Sequence, residues 1–178
     1  MCAVQDARDA GLARGGDMPF EVIERVVHEA APHQPLLDLI GGEPLLYSRL
    51  QDVVRLASQS GVPASVTTNG LKLGDKAEAL VEAGLPLLQI SLDGWDEESQ
   101  TARGNVKRSF ERLCDGVRAI QKAKGSRTFP IIRILTAITR VNHDRLERVQ
   151  QVVADLGVRY WGGIELFLSQ SHRSREAP

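Results

Sequence analysis

The chain has 178 residues, enough for one domain with a sizeable buried core. A formal charge of -1, with 25% charged and 4% aromatic residues, leaves no electrostatic basis for binding nucleic acid or an anionic membrane surface. No apolar run is long enough to cross a bilayer, and Met1 to Asp6 lack the basic and apolar regions of a secretory signal, so a cytoplasmic protein is expected.

Helical spacing of Phe20, Ile23, Val26, Val27 and Ala30, after Asp17 and Pro19 as cap and first turn, predicts the first helix. A short apolar strand over residues 35–40 closes in Gly41-Gly42-Glu43-Pro44. It leads into a helix carrying Leu46, Leu50, Val53, Val54 and Ala57 that ends near Gly61. Residues 62–68 read as a second strand ending in Thr67-Thr68-Asn69-Gly70. Asp75 is placed as the cap of the next helix, with Ala77, Leu80 and Val81 inward and Gly84 closing it. A third strand over 86–92 ends in Asp93-Gly94. After a longer connection come a helix with Val106, Phe110, Leu113, Val117 and Ile120 on one stripe, ended by Gly125, and a β-branched strand over 130–139. A helix with Leu146, Val149, Val153 and Leu156, capped by Gly157, precedes the last strand, 158–168. Residues 169–178 are polar and expected to fray.

Strands alternating with helices imply a parallel sheet with right-handed crossovers, and no linker-like tract divides the single domain, residues 1–178. A doubly wound sheet and a partial (β/α) barrel both fit the alternation. Polar or glycine-rich residues at the C-terminal ends of successive strands favour the barrel. No G-x-G-x-x-G or Walker A sequence supports an ordinary nucleotide-binding domain.

Those strand ends are the candidate site. Gly41 and Gly42 remove two Cβ atoms where a ligand would approach bare backbone, Glu43 adds a carboxylate, and Pro44 suits a first helical turn. Each feature also has a local reading. Gly41–Pro44 makes a tight strand-to-helix turn, and Asn69-Gly70 is a turn dipeptide in any fold. Ser91 can satisfy a neighbouring backbone group, and Arg133 can pair with an acid such as Glu165. Two cysteines, Cys2 and Cys114, make no disulfide scaffold, and Cys114 reads as a buried structural thiol in a helix.

Taken in order, Gly41-Gly42-Glu43-Pro44, Thr68-Asn69-Gly70 and Ser91-Leu92-Asp93-Gly94 resemble the radical S-adenosylmethionine enzymes. The nearest branch is that of molybdenum-cofactor cyclases and peptide- or sulfatase-maturing enzymes. The likeness continues through Arg103-Gly104, Ser109-Phe110, the strand Ile131–Thr136 and Asn142. It implies a partial parallel (β/α) barrel, TIM-like and here lacking its first strand. It also implies that Gly41, Gly42 and Glu43 hold the amino group of the cofactor's methionine part and that Ser91 contacts its ribose or carboxylate. Arg133 and Asn142 would be further cofactor contacts, and Asp38 and Thr68 would face substrate in the barrel interior.

The family also binds a 4Fe–4S cluster through the three thiolates of a CxxxCxxC run. Only Cys2 stands at a matching place, as the last of the three. The first strand and two further cysteines are therefore expected upstream, and this chain alone is expected to be inactive. In the intact enzyme, an electron from a donor such as flavodoxin or ferredoxin would release a 5′-deoxyadenosyl radical that abstracts hydrogen from a small-molecule or peptide substrate. The alternative is a non-catalytic cofactor-binding or interaction module on the same barrel that has lost its cluster. Without a strand beside it, the segment Leu36–Ile40 would be an exposed apolar edge prone to self-association.

Overall fold

The computed structural model describes residues 16–101 and 107–165. In chain order the elements are α1 (Phe20–Ala30), β1 (Leu37–Leu39), α2 (Leu50–Gln59), β2 (Ala64–Thr68), α3 (Leu73–Glu82), β3 (Leu87–Ser91), α4 (Glu97–Thr101), α5 (Ser109–Lys124), β4 (Ile131–Ile138), α6 (Leu146–Asp155) and β5 (Tyr160–Glu165). All five expected strands form; β1 to β4 are each shorter than the expected run, and residues 166–168 of the last run lie outside the described residues. Cys2, Val106 and the polar stretch 169–178 lie outside the described residues.

Every strand pairs parallel to the next, in the order β1-β2-β3-β4-β5. That order decides between the two architectures. A doubly wound sheet reverses direction at a switch point, whereas here every connection steps the same way. The result is an open, barrel-like sheet. Alternation along the strands sends Val66, Leu88, Ile90, Ile132 and Ile134 toward the helices, each 8% exposed or less. They pack with Leu73, Leu80, Leu113, Val117, Ile120 and Val149 in one continuous core. A smaller cluster of Val27, Ala57, Val62 and Ala64 seats α1 beside it. The opposite, concave face carries Asp38, Arg133 and Tyr160, which are exposed, and Gln89, which is half-buried.

Local chemistry shifts several boundaries. Pro19 occupies the cap position of α1 and makes no side-chain capping bond, so Asp17 does not cap that helix. Asp75 does not cap α3 either. The Gly70 carbonyl already accepts from the Leu73 amide at 3.1 Å, so the helix starts earlier and Asp75 falls in its first turn, where a carboxylate suits the helix dipole. Leu46 belongs to a short 3-10 turn, Pro44–Leu46, and is 67% exposed rather than on the inward stripe of α2. Helix α4 has no apolar stripe and was not expected; Asp96 starts it by accepting from the Ser99 amide at 2.8 Å. Glu97 then caps α5, accepting from the Ser109 and Phe110 amides at 2.7 and 3.0 Å. Gly116 lets α5 lie close on the start of α3, where an added Cβ would fall 2.9 Å from Leu73 Cβ.

Candidate functional site

Parallel pairing brings the C-terminal ends of β1 to β4 to one edge of the sheet, and the polar turns gather there. After β1 the chain turns through Gly41, whose φ of +140° lies in a region that favours glycine. Gly41 and Gly42 are exposed, and a Cβ on either would meet nothing within 4 Å. Among the described residues no hydrogen bond takes either glycine's carbonyl. This short stretch of backbone is exposed and carries no side-chain bulk.

Glu43 works differently. Its Oε1 accepts from the Leu45 amide at 3.0 Å and from Thr68 Oγ1 at 2.6 Å, while its Oε2 accepts from the Asn69 amide at 2.8 Å. The carboxylate therefore caps the 3-10 turn and ties the end of β1 to the end of β2. Thr68 also accepts from the Gly70 amide at 3.0 Å. It is 2% exposed and stands on the helix-facing side with Val66, three residues from the concave-face Ser65. The expectation that Thr68 faces the barrel interior is thus corrected. Its hydroxyl is used inside the turn, and Thr67 is the β2 residue that points inward, accepting from Gln89 Nε2 at 3.1 Å.

Asp38 lies on the concave face, exposed, and accepts a short hydrogen bond from the Ser65 hydroxyl beside it. Ser91 ends β3 on the same face, half-buried and in register with Leu135. Beyond it, Asp93 Oδ1 accepts from the Ala137 amide at 2.6 Å, linking the ends of β3 and β4. Gln100 Oε1 receives the Asp93 and Gly94 amides at 3.1 and 2.8 Å. Asn142 is 1% exposed and fully engaged. Its Nδ2 donates to the carbonyls of Asp93 and Ala137 at 2.9 and 3.0 Å, and its Oδ1 accepts from the Thr139 amide at 2.8 Å. Those bonds make Asn142 a clamp on the β4 turn, with its amide spent on protein partners.

Arg133 stands on the concave face in register with Gln89 and Tyr160. Glu165 pairs with Ile138 in the β5 register, five positions from the Arg133–Tyr160 pair, or about 16 Å along the strand. The register therefore separates the backbone of Glu165 from that of Arg133. Arg133 instead lies over Gly162, which the sequence reading did not single out. A Cβ there would sit 2.8 Å from Arg133 Nη2. Paired glycines inside a strand are the signal for such close approach.

Cys114 is 6% exposed in α5, and burial pushes its thiol pKa up, as suits a structural thiol. Near the β3 turn, backbone hydrogen bonding from Ser99 holds the Asp96 carboxyl below its usual range. No helix among the described residues is long and apolar enough to cross a membrane.

A family model for the radical SAM superfamily matches residues 1–153. The chain belongs to that superfamily. It is 27% identical over 144 residues to the AdoMet-dependent heme synthase of Methanosarcina barkeri, covering 80% of this chain and 40% of that protein. To the GTP 3′,8-cyclase of Pelotomaculum thermopropionicum it is 33% identical over 142 residues, 76% of this chain and 41% of the relative. This radical SAM chain thus spans about two fifths of the length of those two relatives.

Among solved structures, Streptococcus suis SuiB bound to S-adenosylmethionine superposes with a TM-score of 0.74 at 14% identity, covering 89% of this chain and 36% of that one. The structure of anSMEcpe with bound AdoMet and Kp18Cys peptide gives 0.71 at 19% identity, covering 85% and 44%. These likenesses establish the fold: an open parallel sheet of the kind radical SAM enzymes share.

The 178 residues contain two cysteines, Cys2 and Cys114, fewer than the several thiolates by which a 4Fe–4S cluster is held. Cys114 is buried within a helix, and Cys2 lies outside the described residues. The residues present do not fit the cluster. The exposed glycine backbone after β1 does fit the polar end of S-adenosylmethionine, since no side chain intrudes at either glycine and, among the described residues, no protein donor takes their carbonyls.

Proposed function

We propose that this chain forms the cofactor-cradling and substrate-facing part of a radical S-adenosylmethionine enzyme. The observation that carries the reading is the bare Gly41–Gly42 backbone, held at the sheet's C-terminal edge by the Glu43 bonds to Thr68 and Asn69. The carbonyls of that turn would accept from the ammonium of the cofactor's methionine part. Ser91, at the end of β3 on the concave face, would contact its ribose or carboxylate. In the intact enzyme S-adenosylmethionine would be the source of the hydrogen-abstracting radical, given an electron from outside the residues present, and this chain's share would be placement and the exclusion of water. Asp38 and the concave face would meet the substrate, a small molecule or a peptide. Relatives named for a nucleotide and a solved neighbour holding a peptide support that breadth. The reductant would be a flavodoxin or ferredoxin.

Equilibrium dialysis of radiolabelled S-adenosylmethionine against the 178-residue chain tests the cradle. Gly42→Val is the informative variant, because a Cβ at Gly42 meets nothing in the fold and its φ is not left-handed. Saturable binding at or below about 1 mM is expected, weakened about 10-fold or more in the variant while the melting curve is unchanged. Equal affinity in the two proteins, or no saturable binding, would overturn the reading.

A further inference from the structure

The middle of the concave face carries a polar row that the turns do not explain. Thr67, Gln89, Arg133 and Tyr160 are register neighbours across β2 to β5, one position per strand. Gln89 Nε2 donates to Thr67 Oγ1, which fixes two members of the row. Arg133 is the cation in it. It is exposed, and among the described residues it makes no ion pair.

Its position is shaped by a glycine. A Cβ built on Gly162 would lie 2.8, 3.5 and 3.6 Å from Arg133 Nη2, Nε and Cζ. All three atoms belong to the guanidinium, so this group occupies the space beside the β5 backbone that a side chain at position 162 would take. Gly162 has no positive φ that would demand glycine for backbone reasons. Nor does the helix side demand it, since its neighbour Trp161 is the residue packed there. The space above Gly162 is what the missing Cβ provides, and Arg133 fills it. An exposed, planar, always-charged fork beside a polar row matches a carboxylate or phosphate oxyanion, which takes two parallel N–H bonds.

We infer that Arg133, laid over Gly162, is the receptor for an oxyanion group of the substrate, with Gly162 as its positioning residue. This rests on the reading that the concave face is the substrate side. It places Arg133 with the substrate, two register positions down from the Ser91–Leu135 pair at the cofactor edge. The substrate class is then one bearing a phosphate or carboxylate that docks in mid-sheet.

Phenylglyoxal modification of the 178-residue chain, read arginine by arginine by mass spectrometry, tests this at constant ionic strength. Pyrophosphate and succinate are the two probes, each with and without S-adenosylmethionine. At saturation, pyrophosphate, succinate or both should slow labelling of Arg133 about 10-fold or more, while exposed Arg55 and Arg118 label unchanged. Protection by pyrophosphate alone assigns a phosphoryl-bearing substrate, by succinate alone a carboxylate, and by both a site for either. In Gly162→Ala the added methyl meets only the mobile end of a side chain, so the melting temperature should hold while protection of Arg133 falls several-fold. Labelling that neither probe slows would overturn the inference. So would protection by S-adenosylmethionine alone, which would assign Arg133 to the cofactor, or full protection in Gly162→Ala. Because these measurements also run without S-adenosylmethionine, a failed cofactor cradle and a failed oxyanion site give different results.

Discussion

Two turns at the same edge of the sheet, one after β1 and one after β3, use similar residues to opposite ends. Each has an acid that reaches across to the next strand: Glu43 to Thr68 and Asn69, and Asp93 to the Ala137 amide. Each also has a glycine beside that acid. A Cβ on Gly42 would meet nothing, whereas one on Gly94 would fall 2.3 Å from the Gln100 amide nitrogen and 2.6 Å from the Ser99 carbonyl carbon. The first glycine leaves room for something outside the fold. The second is required by the fold itself, because α4 packs directly on it. A motif read as a ligand contact can therefore be half stitching and half opening, and only the neighbours separate the two.

Substitution should expose the contrast most sharply at the glycines. Gly94→Ala forces backbone apart and should cost about 3 kcal/mol, seen as a large fall in the urea midpoint. Gly42→Ala should stay within about 0.5 kcal/mol. If the two variants melt alike, the packed-versus-open distinction is wrong.

Asn142→Ala comes next. It leaves the Asp93 and Ala137 carbonyls and the Thr139 amide without their side-chain partner, for a loss of about 2–3 kcal/mol in urea unfolding. Cofactor affinity per folded molecule should survive that change if Asn142 only clamps the turn. A selective loss of affinity at unchanged stability would make it a ligand contact instead.

Glu43→Ala should be milder, about 1–2 kcal/mol, since its turn is partly open to solvent. Hydrogen exchange should rise at Leu45 and Asn69, the two amides it holds, and stay unchanged at Ala137.

The smallest effect belongs to Asp96. Its folded carboxyl is held below its usual 3.8, chiefly by the Ser99 backbone hydrogen bond, so its contribution is present above that pH and lost as pH falls through the lower folded value. The side chain is exposed and the contribution correspondingly small. Urea midpoints of wild type and Asp96→Ala should differ slightly at neutral pH and converge in acid. A gap that widens in acid would reverse the assignment.

Much of this was legible along the chain. The ends of β1, β2 and β3 were readable because those runs stop at Gly41-Gly42, Asn69-Gly70 and Asp93-Gly94. The helices α1, α2, α3, α5 and α6 followed from their apolar stripes. Helix α4 was not, because its Glu97–Thr101 segment has no stripe to find; only the Asp96–Ser99 capping pair marks it. Thr68 was assigned to the wrong face for a related reason. In β2 the run Ala64-Ser65-Val66 is buried throughout, so apolar alternation does not reveal which residues point inward.

By itself, then, the sequence determined the number and order of strands, the parallel alternation and the ordered set of turn motifs, all of which depend on neighbours within a few positions. Tertiary structure alone decided that the strands run in unbroken sequential order and that Asn142 and Thr68 are spent on protein partners. It also decided that Arg133 lies on Gly162, 29 positions away in the chain. Those outcomes depend on which backbone lies beside which and in what register, and register is set by packing the helices onto one face of the sheet rather than by any local pattern.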